Sequence, residues 1–361
     1  MTVQKHLLSS IILFTDSGAP TDGAEGTGAG QAEPGFEYLD TASGLRYVNV
    51  GTTTVPVWVP STPVFNAGAP VSGTSGTGAG TFAAPNVILL DTVGKNTYVN
   101  EGTLASPYWT PVNFQQPNLL AYVTDFRDGA GKAIADTDAT ATIPGSGVRV
   151  HGQGVAETDS GLTVAHGEGG PVASLLTTDE VAHLLALSVG GTTPPYQPDT
   201  HKTLVVEALL AMDAALTDRA MFLGFLGTVA DALDPAATGA TVTITLVQDD
   251  LAGLFFDSGL TDADRLFAPH NKSDEAATIA TTATGVDTGA DMPAAGTYTR
   301  LRVEITADGT LVAFKDKVQI ARIEATLDVD EECAPCLYVE ANAAAVTTML
   351  VKRFATWATR G

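Results

Sequence analysis

Carboxylates, thiols and imidazoles are the side chains here that could do chemistry, and their spacing limits what that chemistry can be. Acid–base cleavage of a glycosidic bond needs two carboxyl groups, about 5–5.5 Å apart when configuration is retained. On one strand, acids two or four residues apart face the same way. Glu207 and Asp213 lie six apart and share a face only if a strand runs unbroken between them. Asp328, Asp330 and Glu332 alternate, but their acidic run reads as a loop with a solvated edge. Asp125, Asp128, Asp136 and Asp138 flank a glycine turn and miss the third-position ligand of an EF-hand calcium loop.

Cys333 and Cys336, in Cys-Ala-Pro-Cys, supply half the ligands of a structural zinc site. They lack the helix-start setting of a redox pair, so a loop pair, reduced or bridged, is expected. None of the histidines forms a His-x-x-x-His or His-Glu-x-x-His spacing, and His151 and His166, each before a glycine, are expected in turns. The Gly-Thr-Gly-Ala-Gly strings at 26–30 and 76–80 lack the third glycine of a dinucleotide fingerprint. No catalytic residue, metal or cofactor is predicted, and the chain is expected to be non-enzymatic.

The elements that must position these residues are strands. The chain has 361 residues, few charges, and many Gly, Ala, Thr and Val residues, a composition that favours strands over helical surfaces. Its net charge of −23 repels phosphate backbones and anionic membrane surfaces, so neither nucleic acid nor membrane is an expected partner. Lys5 and His6 before Leu7 to Phe14 imitate a secretory signal, but Ser9 and Ser10 interrupt the short apolar core. A docked first strand or arm is expected instead.

An internal repeat organises the first third. Leu39-Asp40-Thr41, Tyr47-Val48-Asn49, Gly51-Thr52 and Pro56-x-Trp58-x-Pro60 recur as Leu90-Asp91-Thr92, Tyr98-Val99-Asn100, Gly102-Thr103 and Pro107-x-Trp109-x-Pro111. Each copy reads as a hairpin with an extended tail of roughly thirty residues, too small to bury a core alone. Residues 61–88 read as an extended linker. Tyr47, Trp58, Tyr98 and Trp109 are candidate interface anchors, with packing inside their own modules as the competing reading. The repeat therefore reads as a docking device.

Beyond residue 140, short apolar runs alternate with Gly and Pro breaks. Thr178 to Leu187 carries the signals of one short helix, with Thr177 or Thr178 as N-cap. Thr203 to Met212 and Met221 to Gly227 are read as strands, and Thr241 to Val247 alternates most cleanly. Thr299 to Thr306, Ala307-Asp308-Gly309 and Thr310 to Phe314 form the clearest hairpin. Leu337 to Glu340 and Thr347 to Trp357 follow as closing strands.

The hairpin, the following Lys315 to Ala321 and the final strand resemble the late strands of concanavalin A-like jelly rolls of the laminin-G and legume-lectin type. That family includes glycoside hydrolases, but the laminarinase-like Glu-x-Asp-x-x-Glu pattern is absent. The Tyr-Val-Asn-x-Gly-Thr and Pro-x-Trp strings resemble N-terminal segments of bacteriophage head-fibre, decoration and tail-fibre proteins. The expected fold is mainly β: an arm at 1–22, repeat copies at 23–66 and 67–118, a connecting hairpin at 119–144 and a jelly roll at 145–361. The resemblance implies a capsid decoration or head-fibre protein on the virion surface. Its partner would be the major capsid protein, with assembly as a homotrimer and a host-surface glycan as a further ligand. A tail-fibre or receptor-binding protein is the runner-up, and a free lectin or glycan hydrolase the third reading.

Overall fold

The computed structural model describes the chain apart from residues 1–3, 9–10, 43–44, 62, 113–118, 127–140, 144–145, 153–160, 168–169, 178, 180, 191–193, 228–232, 234, 273–277 and 361. Every regular element among the described residues is a strand, so the mainly β fold forms as expected. The chain divides into two compact units, Met1–Asn113 and Phe114–Gly361. The turn residues Asp128, Asp136 and Asp138 lie outside the described residues.

The first unit holds two small sheets of one design. In one, Ile11–Asp16 runs parallel to Glu37–Asp40, which pairs antiparallel with Arg46–Asn49, which pairs with Trp58–Pro60. In the other, Val64–Asn66, Ile88–Asp91, Thr97–Asn100 and Trp109–Pro111 repeat that order and those senses. The expected linker at 61–88 is corrected: it contributes a strand and a hydrogen-bonded Gly-rich loop to the second copy. Each repeat is thus about fifty residues rather than thirty. The expected arm is a strand, Gln4–Leu8, paired antiparallel with Ile11–Asp16.

Each copy also buries its own cluster, contrary to expectation. Phe14, Ala32, Tyr38, Tyr47 and Trp58 fill the first, and Val64, Ala83, Val87, Leu89, Tyr98 and Trp109 the second. The added twenty residues bring each unit above the roughly 40-residue size below which a chain needs staples. Val59 of the first copy packs against the second cluster.

The second unit is a sandwich. One sheet runs Gly161–Gly167, Gly170–Leu176, Thr348–Arg360, His201–Met212, Thr299–Thr306, Leu311–Lys315, Val318–Ile323. Leu119–Thr124 joins it on Thr348–Arg360, so this segment belongs to the sandwich, while residues 127–140 of the expected connecting hairpin lie outside the described residues. The other sheet runs Ala141–Thr142, Val148–Gly152, His183–Val189, Ala334–Ala341, Arg219–Leu226, Leu251–Asp257, Arg265–Phe267, Asp287–Asp291. Between the sheets lie Leu204, Val206, Ala208 and Leu210 of the first against Leu185, Leu187, Leu223, Phe225, Leu337 and Val339 of the second.

The outward side of the second sheet is covered too. The three strands Ala237–Ala240, Thr243–Leu246 and Thr278–Ala280 form a small sheet whose Ile244 and Leu246 pack with Leu184, Ala186, Phe222, Phe255 and Tyr338. A strand buried on both faces reads as a continuous apolar run rather than an alternating one. His183–Val189 is buried at all seven positions, which is why its sequence imitated a helix; the expected helix is corrected to this strand. The hairpin of Thr299–Thr306 and Leu311–Lys315 forms as expected, with Ile305 opposite Leu311.

Candidate functional site

The invariant residues of the duplication turn inward. The Trp58 indole N–H donates to the Thr27 carbonyl at 2.9 Å, and that of Trp109 to Thr77 at 3.1 Å. Asn49 Oδ1 accepts the amides of Gly51 and Val57, both at 2.9 Å, while its Nδ2 donates to the Ala32 carbonyl at 2.6 Å. Asn100 Oδ1 accepts Gly102 and Tyr108 N–H at 2.8 Å, and its Nδ2 donates to the Ala83 carbonyl. Asp40 and Asp91 accept the amides of Gly18 and Gly68 at 2.7 and 3.1 Å. These buried side chains take over backbone groups that such short strands leave unpaired. A Cβ at Gly26 or Gly76 would strike the carbonyl of Thr21 or Val71, so the Gly-rich string is part of the same clamp.

Of the two readings of Tyr47, Trp58, Tyr98 and Trp109, the burial agrees with packing inside their own modules. All four are 6% exposed or less.

The outward faces of the two sheets differ. Register places Phe65, Ile88, Leu90 and Val99 on one side of the second sheet, with Val112 beside Thr97, to whose carbonyl its N–H donates at 2.9 Å. Phe65 is 67%, Val112 56% and Ile88 42% exposed. The same positions of the first sheet hold Thr15, Glu37, Leu39, Val48 and Ser61, with Arg46 in place of Thr97. Glu37 and Arg46 form an ion pair there at 3.4 Å. Polar residues of one copy have become apolar in the other. Residues 64–112 carry only three charged side chains, Asp91, Lys95 and Glu101, against seven in 11–61. The sequence signal for this apolar face lies in the mismatched positions of the repeat, not in the matching ones.

In the sandwich, Glu207 and Asp213 are not brought together. Glu207 is buried on the outward side of its sheet, whereas Asp213 lies past the strand end, 3.5 Å from Arg219. Glu207 instead joins Arg302 at 4.0 Å and Arg353 at 3.8 Å, and Arg302 meets Glu304 at 2.6 Å. The Arg302 guanidinium also lies 4.8 Å from the Trp357 ring centroid. Two carboxylates held by arginines and shut from solvent serve the sheet face as a charge-paired patch. Asp330 and Glu332 lie exposed in a loop, the solvated edge expected of them.

Asp257 and Glu340 form a second carboxyl pair, both placed opposite Ala220 by strand register. Asp257 accepts the amides of Gly239 and Gly259 at 2.6 and 2.7 Å and the Asn342 side chain at 2.7 Å. Burial raises its pKa against these bonds. Burial, and then the charge of Asp257, push Glu340 up to about 7. The two lie 83 residues apart in sequence, and only the pairing of three strands unites them. A cavity of about 250 Å³ lined by Leu216, Thr217, Asp218, Ser258, Ala263 and Asp264 holds no histidine, cysteine or cation in that lining.

The cysteines are corrected from a loop pair. Cys336 lies in Ala334–Ala341 and packs in the outer cluster, while Cys333 packs between the sheets, so the thiols face opposite sides. Both are free and buried. His151 and His166 are corrected from turns to strands, the first with Nε2 2.5 Å from Ser188 Oγ. Among the described residues no group of three or more His, Cys, Asp or Glu side chains could hold a metal ion, and no helix is long and apolar enough to cross a membrane.

No protein-family model matches the chain, and no curated protein matches it. Solved structures do show likeness. Peanut lectin is 11% identical at a TM-score of 0.39, covering 67% of this chain and 97% of its own. The Emp47p carbohydrate-recognition domain is 10% identical at 0.39, covering 66% and 98%. A carbohydrate esterase from the Shiga toxin-encoding bacteriophage phi24B is 13% identical at 0.36, covering 66% and 97%. Likeness at these levels transfers neither ligand nor activity to this chain.

Proposed function

We propose that this chain is a bacteriophage virion structural protein, a capsid decoration or head-fibre protein. Its N-terminal unit docks on the shell, with the major capsid protein as partner, and its sandwich is displayed. The observation that carries the reading is the outward face of the second copy. It is apolar and almost uncharged on a unit whose interior is already filled, and an exposed apolar patch on such a unit marks an interaction surface. The Tyr-Val-Asn and Pro-x-Trp strings add their resemblance to phage head proteins. The role is non-enzymatic: of the carboxylates weighed as an acid–base pair, Glu207 and Asp213 are not brought together, and Glu207 is tied to arginines.

Mass spectrometry of purified DNA-filled, tailless heads tests this. The chain is expected there in tens to hundreds of copies. Its absence from heads would sink the proposal, and a few copies confined to the tail would make it a receptor-binding protein.

A further inference from the structure

The two copies also differ at one edge. In the first, Ile11–Asp16 is covered by Gln4–Leu8. In the second, the equivalent strand Val64–Asn66 ends its sheet, and among the described residues no strand pairs its outer side. Each chain thus has two equivalent edges and one arm to cover them. An open edge is a template for a further strand, and proteins commonly protect it with a charge on the strand. Here the centre of the edge is Phe65, 67% exposed, where the covered strand of the first copy has Thr15.

We propose that two copies of this chain pair through Val64–Asn66 around a two-fold axis. Moving an arm from one edge to another leaves the number of open edges unchanged, whereas pairing two open edges closes both. The strand is self-complementary under a two-fold, the geometry of an isologous contact. Phe65 then stands opposite Phe65 of the second copy as a cross-strand aromatic pair. Charge favours the same partner. Chains of net charge −23 repel each other, and the region around this edge carries only Asp91, Lys95 and Glu101. The pairing sets the two second-copy sheets side by side, so their apolar faces join without being used up. It does not depend on attachment to a shell, since it concerns the isolated chain.

The test is a single cysteine. Both native thiols are buried, so Phe65→Cys supplies one accessible thiol per chain. Directly opposed residues of antiparallel strands have Cα atoms about 4.5 or 5.5 Å apart, within the roughly 4.4–6.8 Å that a disulfide spans. Oxidised Phe65→Cys protein is expected to run as a covalent dimer on a non-reducing gel. Val93→Cys, on a residue 62% exposed but off the edge, is expected to stay monomeric under the same conditions. Sedimentation of the unmodified chain is expected to show a monomer–dimer equilibrium, weakened at least about tenfold by Phe65→Lys. Equal cross-linking of the two cysteine variants, a trimer, or a chain monomeric at every concentration would overturn the proposal. Shell binding can fail without touching any of these readouts.

Discussion

The two copies of the repeat agree inside and disagree outside. Asp40 and Asp91, Asn49 and Asn100, and Trp58 and Trp109 make the same hydrogen bonds to the same parts of their units. Outside, Thr15, Glu37 and Ser61 give way to Phe65, Ile88 and Val112. Repetition in the sequence thus marks what holds each unit together, and divergence marks where the units do different work. A search for matching residues finds the scaffold. The surface that distinguishes one copy from the other is found by asking where equivalent positions changed character.

The largest expected effect tests the shared interior. Trp58→Ala and Trp109→Ala each remove a buried indole and its bond to a loop carbonyl, a loss of about 3–5 kcal/mol. Hydrogen exchange is expected to show local opening, over residues 37–49 for the first and 88–100 for the second. If either change leaves its copy protected, the two interiors are not equivalent.

A pH experiment separates the duplicated unit from the sandwich. The folded pKa of Glu340, about 7, lies above its ordinary 4.5, so the folded sandwich holds that proton longer than the unfolded chain. Its contribution is full below about 4.5 and is lost as pH rises through 7, a change of about 3 kcal/mol. Denaturation of the sandwich at pH 5 and pH 8 is expected to show this loss, and Glu340→Gln to flatten it, while protection of the repeats stays unchanged.

Next in size come Asn49→Ala and Asn100→Ala. Each leaves two backbone amides without an acceptor, part-buried in the first copy and buried in the second, at about 1–3 kcal/mol. Matching losses in the two copies sharpen the comparison, and a large difference breaks it. The smallest effect on stability belongs to the outward face. Phe65→Thr, Ile88→Glu and Val112→Ser give the second copy the surface of the first, and each is expected to change stability by no more than about 0.5 kcal/mol. Binding of the triple variant to purified shells, measured by co-sedimentation, is expected to be lost.

Much of the sandwich was legible because its edge regions alternate or turn sharply. The hairpin around Asp308-Gly309 follows from local turn chemistry. Thr241 to Val247 was overestimated: only Thr243–Leu246 is strand, and it belongs to the small covering sheet. His183–Val189 was misread because burial on both faces erases the two-residue period. The repeats' strand order was half visible. Glu37–Asp40 and Arg46–Asn49 pair locally, but the parallel partner of each copy returns across some twenty residues of Gly-rich loop, and no local signal announces it. The Asp257–Glu340 pair was beyond reach for a similar reason, since its two members meet only after three strands have paired.

Thr348–Arg360 sets the order of assembly during synthesis. One side of this strand is matched along its length by His201–Met212, and the other is shared by Gly170–Leu176 and Leu119–Thr124. Until it leaves the ribosome, those flanking strands have no common neighbour and their sheet stays in pieces. The repeats, whose contacts are short-range, are free to fold while the rest is still being made. A nascent chain stalled before residue 348 would therefore carry finished repeats tethered to an unfinished sandwich.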